Sequence, residues 1–365
     1  MALIRLAAPL LLLPLALVRG GDVPPLPRDA LNDAQLEGRS ALGLPDVVPG
    51  VDPTPAGLAK AQLGRALFFD PILSQDRTVS CASCHDPDKA FATNDVRPLG
   101  VGGQRCDRNS PPLFNRAFGT SHFWDGRAAT LEQQVVMPIE HPHEMGLPLD
   151  EAVARLAADG GYAPRFAATF GAPPDRDKLA AALAEFVRRI VVADSPIDRF
   201  RAAKGPLTAL ERTGLWVFES KGKCWRCHAG PNFSDEKFHN TGVGVKEGVP
   251  EPGRFAVTGD AADLGAFKTP TLRMVGKTAP YMHDGSLATL DDVVRFYARG
   301  GHPNDRLDPK MQPIEFSEPE IQGLIAFLEA LSRSGDPPPP PEEEGDPLLA
   351  DPEKAVAPPP SRKSY

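Results

Sequence analysis

Two short motifs with the spacing C-x-x-C-H are the residues of this sequence best placed to do chemistry. They are Cys81-Ala82-Ser83-Cys84-His85 and Cys224-Trp225-Arg226-Cys227-His228. In such a motif the two thiols add to the two vinyl groups of a haem, and the adjacent histidine turns beneath the ring to ligate the iron. Each motif therefore predicts one covalently attached haem c.

Other uses of paired cysteines fit these motifs less well. A structural zinc site needs four Cys or His ligands at regular spacing, and neither motif has a second pair close by. A thioredoxin-like redox pair would lie in a βαβ pattern, which the sequence lacks. The fifth cysteine, Cys106, stands outside both motifs. We interpret it as a buried thiol, with a reactive thiol as the alternative.

A predicted helix precedes each motif and would position it. Apolar residues recur on one face over residues 58–69, before the first motif. Thr208 and Glu211 have the capping-box spacing that begins a helix, and this helix leads to the second motif.

The same two helices carry matching residues, which indicates an internal duplication. Gly64 and Phe68 come before the first motif, and Gly214 and Phe218 come before the second.

Most of the remaining pattern is also helical. Helices are predicted over 150–156 and 178–192, and Ser317 with Glu320 repeats the capping box before a helix with one apolar stripe. Residues 138–148 are predicted to form a proline-marked turn. Strand signals are few, so the expected fold class is mainly α.

Composition limits the classes of protein to consider. The chain has 365 residues, of which 41% are hydrophobic and 24% charged, enough for two domains with cores. The net charge of −8 and the absence of a long basic run argue against nucleic-acid binding. A mildly acidic surface would suit a basic redox partner, although most soluble proteins have such a surface.

The N-terminus is typical of an exported protein. Arg5 is followed by an apolar run over residues 6–18 and then by Arg19-Gly20-Gly21, which predicts a signal peptide over residues 1–21 and a periplasmic location. The run is short and contains two prolines, which disfavours a membrane span. Because the cleavage pattern is not clean, an uncleaved anchor is the alternative. No later segment is apolar enough to cross a bilayer.

Two further segments have a biased composition. Residues 22–55 are rich in proline and glycine and are predicted to be a loop-like lead into the first domain. Residues 335–365 begin with five consecutive prolines within Gly335–Pro341, followed by an acidic run, which predicts a disordered tail.

Several longer stretches resemble the bacterial dihaem cytochrome c peroxidases, a family that includes the MauG-type enzymes. The resemblance spans roughly residues 58–331, with both haem motifs in order. The stretches that carry it are Arg108-Asn109-Ser110-Pro111-Pro112-Leu113-Phe114-Asn115, Phe123-Trp124-Asp125-Gly126-Arg127-Ala128-Ala129, Leu131-Glu132-Gln133-Gln134, Pro138 to Gly146, Thr269-Pro270-Thr271-Leu272-Arg273 and Ala279-Pro280-Tyr281-Met282-His283-Asp284-Gly285. The resemblance implies two cytochrome c-like domains, over 56–204 and 205–334, each with one covalently bound haem c.

For the first haem, the resemblance implies a site for peroxide. His85 would be the proximal iron ligand. Gln134 and Glu144 match the distal pocket, where a carboxylate can take a proton from peroxide and return it to the leaving oxygen. Val101 occupies the position of the histidine that blocks this iron in the typical peroxidase, so the iron is expected to be open without prior reduction. Trp124 matches a tryptophan between the haems, an expected electron relay.

For the second haem, the resemblance implies His228 as proximal ligand. Counting without gaps from the Thr-Leu-Arg motif places Tyr297 at the distal position, as in MauG, with Met282 and Met274 as rival ligands. Tyrosinate is a hard, anionic ligand that favours high oxidation states of iron.

A calcium ion between the haems is also implied by the resemblance. Its ligands would be Asn109 and the backbone carbonyls of Thr278 and Pro280, since oxygen ligands suit a hard cation. The other histidines lack ligand spacing. We interpret His122, His141, His143, His239 and His302 as solvated or packing residues, and His283 as a residue that would support a haem propionate.

The expected function is that of a peroxidase. Hydrogen peroxide would be reduced to water with electrons from a small periplasmic redox protein, either a c-type cytochrome or a cupredoxin. One alternative is a MauG-like enzyme that uses peroxide to oxidise tryptophan or tyrosine residues of a partner protein. A second is a dihaem electron carrier without enzymatic activity.

Overall fold

The computed structural model describes residues 41–334, and within them the chain is mainly helical. We number eleven α-helices in this range. They are α1 (Pro55–Phe69), α2 (Cys81–Cys84), α3 (Leu131–Glu140), α4 (Leu149–Ala158), α5 (Tyr162–Phe170), α6 (Arg176–Arg188), α7 (Pro196–Arg201), α8 (Ala209–Glu219), α9 (Phe255–Thr258), α10 (Leu290–Ala298) and α11 (Glu318–Ala330). Two short antiparallel strands, β1 (Phe238–His239) and β2 (Phe267–Lys268), form a single ladder.

Each half of the described chain is built on a pair of helices that cross at a glycine. In the pair α1 and α6, a Cβ atom on Gly64 would lie 1.9 Å from the carbonyl oxygen of Ala182. In the pair α8 and α11, a Cβ atom on Gly214 would lie 1.9 Å from the carbonyl oxygen of Gly323. Only a hydrogen fits at either crossing. The two predicted glycines therefore have the same structural role.

The phenylalanines that follow these glycines begin two separate hydrophobic cores. Phe68 packs on Phe186 of α6 with ring centroids 5.1 Å apart, and Phe218 packs on Phe327 of α11 at 4.6 Å. The first core draws its buried residues from Leu63 to Val192 with the addition of Met274, and the second from Ile197 to Leu331. Burial of these side chains is the main stabilising contribution in each half.

A second pair of matching segments, one in each half, was not predicted from the sequence. Residues 121–131 and 280–290 both contain D-G at the same place and end in A-T-L. In each, an isolated bridge closes the turn, and the threonine caps the following helix, α3 or α10. The two segments lie 159 residues apart in the sequence and are structurally equivalent.

Buried polar contacts join the two halves. Arg116 and Glu236 form an ion pair at 3.3 Å, with side chains only 13% and 11% exposed. Asn115 donates to the side-chain oxygen of Asn232 at 3.2 Å. Removing one member of a buried charge pair leaves the other uncompensated, which is strongly destabilising. These contacts fix how the halves meet.

The structure confirms the helix starts that were predicted ahead of the two cysteine motifs. The helix predicted over 58–69 is α1, and both capping boxes form, at Thr208 with Glu211 and at Ser317 with Glu320. The helix predicted over 150–156 is α4.

Two predicted boundaries are wrong. The helix predicted over 178–192 ends at Arg188, because the side chain of Asn115 pairs with both the N–H and the carbonyl of Val192 at 2.9 Å and draws the chain out of the helix. The predicted turn over 138–148 begins too early, because α3 continues through Pro138 to Glu140. Pro138 lies in the last turn of α3 and has no N–H to donate to the carbonyl of Gln134.

Among the described helices, none is both long and apolar enough to cross a membrane. The predicted signal peptide and the predicted C-terminal tail lie outside the described residues. Of the predicted leading segment 22–55, residues 41–54 form turns and bends.

Candidate haem sites

The first cysteine motif opens onto a cavity of about 690 Å³. Helix α1 ends at Phe69, and the chain then turns back so that α2 presents Cys81 and Cys84 at the cavity wall. The wall also includes His85, Gln134, Glu144, Trp124 and Asn109, all of which the sequence analysis assigned to one site. The fold brings these residues together from positions up to 63 apart in the chain.

The imidazole of His85 is arranged to ligate a metal. Its Nδ1 lies 3.0 Å from the carbonyl oxygen of Phe91, which leaves Nε2 to carry the lone pair. Burial lowers the pKa of His85, so the ring is neutral at pH 7. Burial also raises the pKa of the Cys81 thiol to about 12. A neutral imidazole beside two cysteines that line the same cavity fits a covalently attached haem.

Glu144 lies at the cavity wall with its carboxyl group largely removed from water. Burial is the main cause that raises its pKa above the usual range. Oε1 of Glu144 lies 3.6 Å from Nδ1 of His141, and that nitrogen is buried without a hydrogen-bond partner among the described residues. A carboxyl group with a raised pKa is protonated more readily than a free carboxylate, which suits general acid–base chemistry.

Two histidines near Glu144 are better connected than the sequence suggested. Asp107 lies 3.5 Å from Nε2 of His141 and 3.1 Å from Nδ1 of His143. His141 lines the cavity between Glu144 and Asp107, and its interpretation as a solvated or packing residue stays a prediction. The sequence signal was present in the run His141-Pro142-His143-Glu144, but nothing in the sequence places Asp107 beside it.

Val101 and Cys106 lie near the same cavity. The backbone N–H of Val101 donates to the carbonyl of Glu144 at 2.8 Å, and the aliphatic side chain offers no lone pair to a metal. Cys106 is buried, as preferred, and its thiol donates to the carbonyl of His143 at 3.4 Å. Its hydrogen bond with Cys84, followed by burial, raises the pKa of Cys106. The thiol stays protonated, which disfavours the reactive alternative.

Trp124 is held by both halves of the molecule. Its indole Nε1 donates to the carbonyl of Asn109 at 2.9 Å, and its own carbonyl accepts from the backbone N–H of Lys268 at 2.8 Å. Its ring lies 6.3 Å from that of His283, which occupies the equivalent position in the segment 280–290. His283 is buried and stacks on Phe267 at 3.5 Å.

Asn109 also has the arrangement that a cation ligand requires. Its Nδ2 donates to the carbonyls of Asp95 and Val96 at 3.1 and 3.3 Å, which leaves Oδ1 as the atom able to bind a cation. Its backbone N–H donates to the carbonyl of His283 at 2.9 Å, a contact with the segment that carries Thr278 and Pro280.

The second motif forms a tight turn that ends α8. Nδ1 of His228 lies 2.9 Å from the carbonyl oxygen of Phe233, the same arrangement as at His85. Burial lowers the pKa of His228 and raises that of Cys224 to about 12. The two motifs are therefore prepared for haem in the same way.

Of the three rival distal residues, Tyr297 lies beside the second motif. Burial is the main cause that raises the pKa of its phenol, followed by the charges of Cys227 and Cys224. Met274 packs instead within the first core. Met282 lies in the turn of the segment 280–290, where its carbonyl accepts from Gly285 at 3.1 Å.

His239 is a further feature of the second site that the sequence analysis missed. Its Nδ1 lies 2.6 Å from Asp308 and its Nε2 lies 3.0 Å from Asp235, beside Cys227. The hydrogen bond with Cys227 is the first cause that raises the pKa of His239 to about 9, and the two carboxylates contribute. The imidazole of His239 is therefore a cation bound between the carboxylates of Asp308 and Asp235, rather than a solvated or packing residue.

Comparisons with known proteins agree with this geometry. Residues 58–205 match the family described as di-haem cytochrome c peroxidase. The methylamine utilization protein MauG of Methylorubrum extorquens is 40% identical over 290 residues, covering 79% of this chain and 82% of that protein. The cytochrome c551 peroxidase of Nitrosomonas europaea is 34% identical over 283 residues, covering 76% and 81%.

A solved structure shares the fold as well. It is described as a MauG-like protein associated with microbial copper homeostasis, and it is 33% identical to this chain with a TM-score of 0.70. The match covers 75% of this chain and 89% of that one. With relatives of this identity along most of its length, the chain belongs to the family of di-haem cytochrome c peroxidases and MauG proteins.

Proposed function

We propose that this protein is a dihaem c-type peroxidase that reduces hydrogen peroxide to water in the cavity of the first motif. The observation that carries the proposal is the cavity whose lining includes both the neutral His85 ring and the half-buried Glu144 carboxyl group. Family membership implies haem c and peroxidase-type oxidoreductase activity.

The residues that would hold the two haems follow from the two motifs. Cys81 and Cys84 would form thioethers with the first haem, and His85 would ligate its iron through Nε2. The second haem would be held by Cys224, Cys227 and His228, with Tyr297 as its distal ligand. When bound, the haems supply the electron transfer that peroxide reduction requires.

Glu144 and Gln134 do the protein's part of the reaction in this proposal. The Glu144 carboxylate takes the proton of peroxide and returns it to the leaving oxygen, which then departs as water. Gln134 donates and accepts hydrogen bonds that orient the peroxide in the cavity. His141, next to Glu144, passes protons between the cavity and Asp107 at the surface.

Electrons would reach the first site from the second. Trp124 lies between the halves, held by Asn109 on one side and Lys268 on the other, and it is the proposed relay. A small periplasmic c-type cytochrome or cupredoxin is the proposed donor. A calcium ion bound by Asn109 and the carbonyls of Thr278 and Pro280 would keep the segments around the relay in place.

A second candidate function has its own support. Tyr297 beside the second motif, Val101 in place of a blocking histidine, and 40% identity to a MauG protein favour peroxide-driven oxidation of tryptophan or tyrosine residues in a partner protein.

Steady-state turnover of peroxide with a reduced small redox protein tests the proposal, with and without prior half-reduction of the chain. Fast turnover without half-reduction supports the peroxidase with an open first iron. Slow turnover together with rapid reaction of peroxide alone supports the second candidate. No reaction with peroxide at all leaves an electron carrier and contradicts both.

A further inference from the structure

The second cysteine motif is surrounded by an exposed tryptophan and three cations. Trp225 lies between the two cysteines and is 42% exposed. Lys223 and Arg226 flank it and are exposed, and Nζ of the exposed Lys310 lies 3.9 Å from Sγ of Cys227. We call these four residues, Lys223, Trp225, Arg226 and Lys310, the cationic rim.

The positive charge of the cationic rim is not balanced locally. Within residues 41–334, none of its three cations forms an ion pair with a carboxylate, whereas the neighbouring Lys221 is paired with Glu320 at 2.7 Å. The nearby carboxylates of Asp235 and Asp308 are both bonded to His239. A chain with a net charge of −8 therefore presents a positive surface beside its second cysteine motif.

The first motif has no such surroundings. The residues between its cysteines are Ala82 and Ser83, which are small and neutral. Its histidine and cysteines line the cavity, where Arg108, Arg116 and Arg127 are each paired with a carboxylate. The cationic rim is thus a property of the second motif and not of the motif type.

These features are those of a protein-binding surface. Tryptophan and arginine are enriched at the centre of protein interfaces. Opposite charges on two surfaces speed their encounter and orient it. Cys224 and Cys227, which would hold the second haem, belong to the same short segment as Lys223, Trp225 and Arg226.

We propose that the cationic rim is the docking surface for the acidic face of an electron-donor protein. The inference rests on the proposed function, because only a chain that receives electrons from another protein needs such a surface. It reverses the sign expected from the net charge, which favoured a basic partner. The local charge decides, because screening limits electrostatic contacts to about 10 Å at ordinary salt.

Binding to two reduced probe proteins of opposite charge tests the proposal on the full haem-loaded chain. The probes are a small blue-copper protein with an acidic face and a small basic c-type cytochrome, each titrated without peroxide. We expect the acidic probe to bind more tightly, with an affinity that falls steeply as salt rises. Tighter binding of the basic probe would overturn the proposal.

Charge reversal then locates the surface. The double variant Lys223→Glu/Arg226→Glu is expected to weaken binding of the acidic probe by about tenfold at low salt and to reduce its salt dependence. The matched control is Lys204→Glu, which changes one exposed cation next to Asp194 and Arg199 and should alter binding less than about twofold. Trp225→Ala should weaken binding about tenfold at both low and high salt.

Two outcomes would overturn the docking proposal. Unchanged binding in the Lys223→Glu/Arg226→Glu variant would overturn it, and so would binding that appears only after removal of residues 335–365, since the acidic tail would then occupy the cationic rim. Turnover of peroxide by the unmodified chain with hydroquinone, a neutral small donor, tests the proposed function without any docking. Binding and peroxide chemistry can therefore fail independently.

Discussion

The two cysteine motifs follow equivalent helices, yet the surroundings of their cysteines differ. The first faces a cavity lined by the half-buried carboxyl group of Glu144, and the second carries exposed Trp225 and a positive surface. The difference extends to the two helices that follow the matching segments, α3 and α10. Position 138 of α3 and position 297 of α10 are equivalent, and the first holds proline while the second holds tyrosine.

This comparison shows how duplication can separate two tasks. The proline of α3 lines the first cavity and has no side-chain ligand atom, whereas the phenol of Tyr297 lies beside the second pair of cysteines. One copy keeps room for a small substrate, and the other has a side chain able to complete the coordination of iron. The helix pair, the proximal histidine and its carbonyl partner are the same in both.

The largest effect is expected from Glu144→Gln, which tests whether the first region is the reactive one. Loss of the titrating carboxyl should lower kcat for peroxide about 10²- to 10⁴-fold, as for other general acid–base residues. Glu151→Gln, at an exposed carboxylate paired with Arg155, is the control and should leave kcat within about twofold. A similar kcat in both variants would place the chemistry elsewhere.

Tyr297→Phe tests whether the second region holds a ligated iron. Without the phenol oxygen, the reduction potential of the second haem should rise by on the order of 0.1 V, within the roughly 0.8 V range that axial ligands span. Spectroelectrochemistry measures the shift. Tyr281→Phe, which removes a phenol bonded to the carbonyl of Val275, should leave the potential unchanged. An equal shift in both variants would count against Tyr297 as ligand.

Two buried histidines should give the regions opposite dependence on pH. Burial, then the charges of Arg116 and Lys268, lowers the pKa of His122 from 6.5 to about 4. Its contribution to stability is present above pH 6.5 and is lost as pH falls towards 4, by roughly 3 kcal/mol at most. Urea unfolding of His122→Gln from pH 7 to 4 should lack this loss, while the exposed control His302→Gln should retain it.

His239 has the opposite sign. Its pKa is raised to about 9, so its contribution is complete below pH 6.5 and is lost as pH rises through 9. Unfolding of His239→Gln between pH 6.5 and 9.5 should show a smaller decrease in stability than the unmodified chain. A decrease of the same size would mean that Asp235 and Asp308 do not hold a protonated ring.

The smallest effect concerns the shared framework. Gly64→Ala and Gly214→Ala should each lower the free energy of unfolding by about 1–3 kcal/mol, because the added methyl group must displace a backbone carbonyl. Gly160→Ala, where a Cβ atom would meet nothing within 4 Å, is the control. Costs that differ widely between the two crossings would weaken the equivalence of the helix pairs.

The framework was predictable from local sequence because its signals are local. Capping boxes at Thr208 and Ser317 fix helix starts with residues three positions apart, and the C-x-x-C-H spacing fixes the tether. The end of α6 was not predictable, since it depends on Asn115, 77 residues from Val192. The neighbours of Glu144 and His239 depend on similarly distant partners, Asp107 and Asp308.

The position of Trp124 limits how the chain can be divided. Its indole is bonded to a carbonyl of the first half and its own carbonyl to a backbone N–H of the second, so neither half alone orients the ring. Expressing the halves as separate one-haem modules would leave this side chain without half of its anchors. The protein is in this respect an indivisible pair, and the electron relay proposed for Trp124 would need both copies to be assembled.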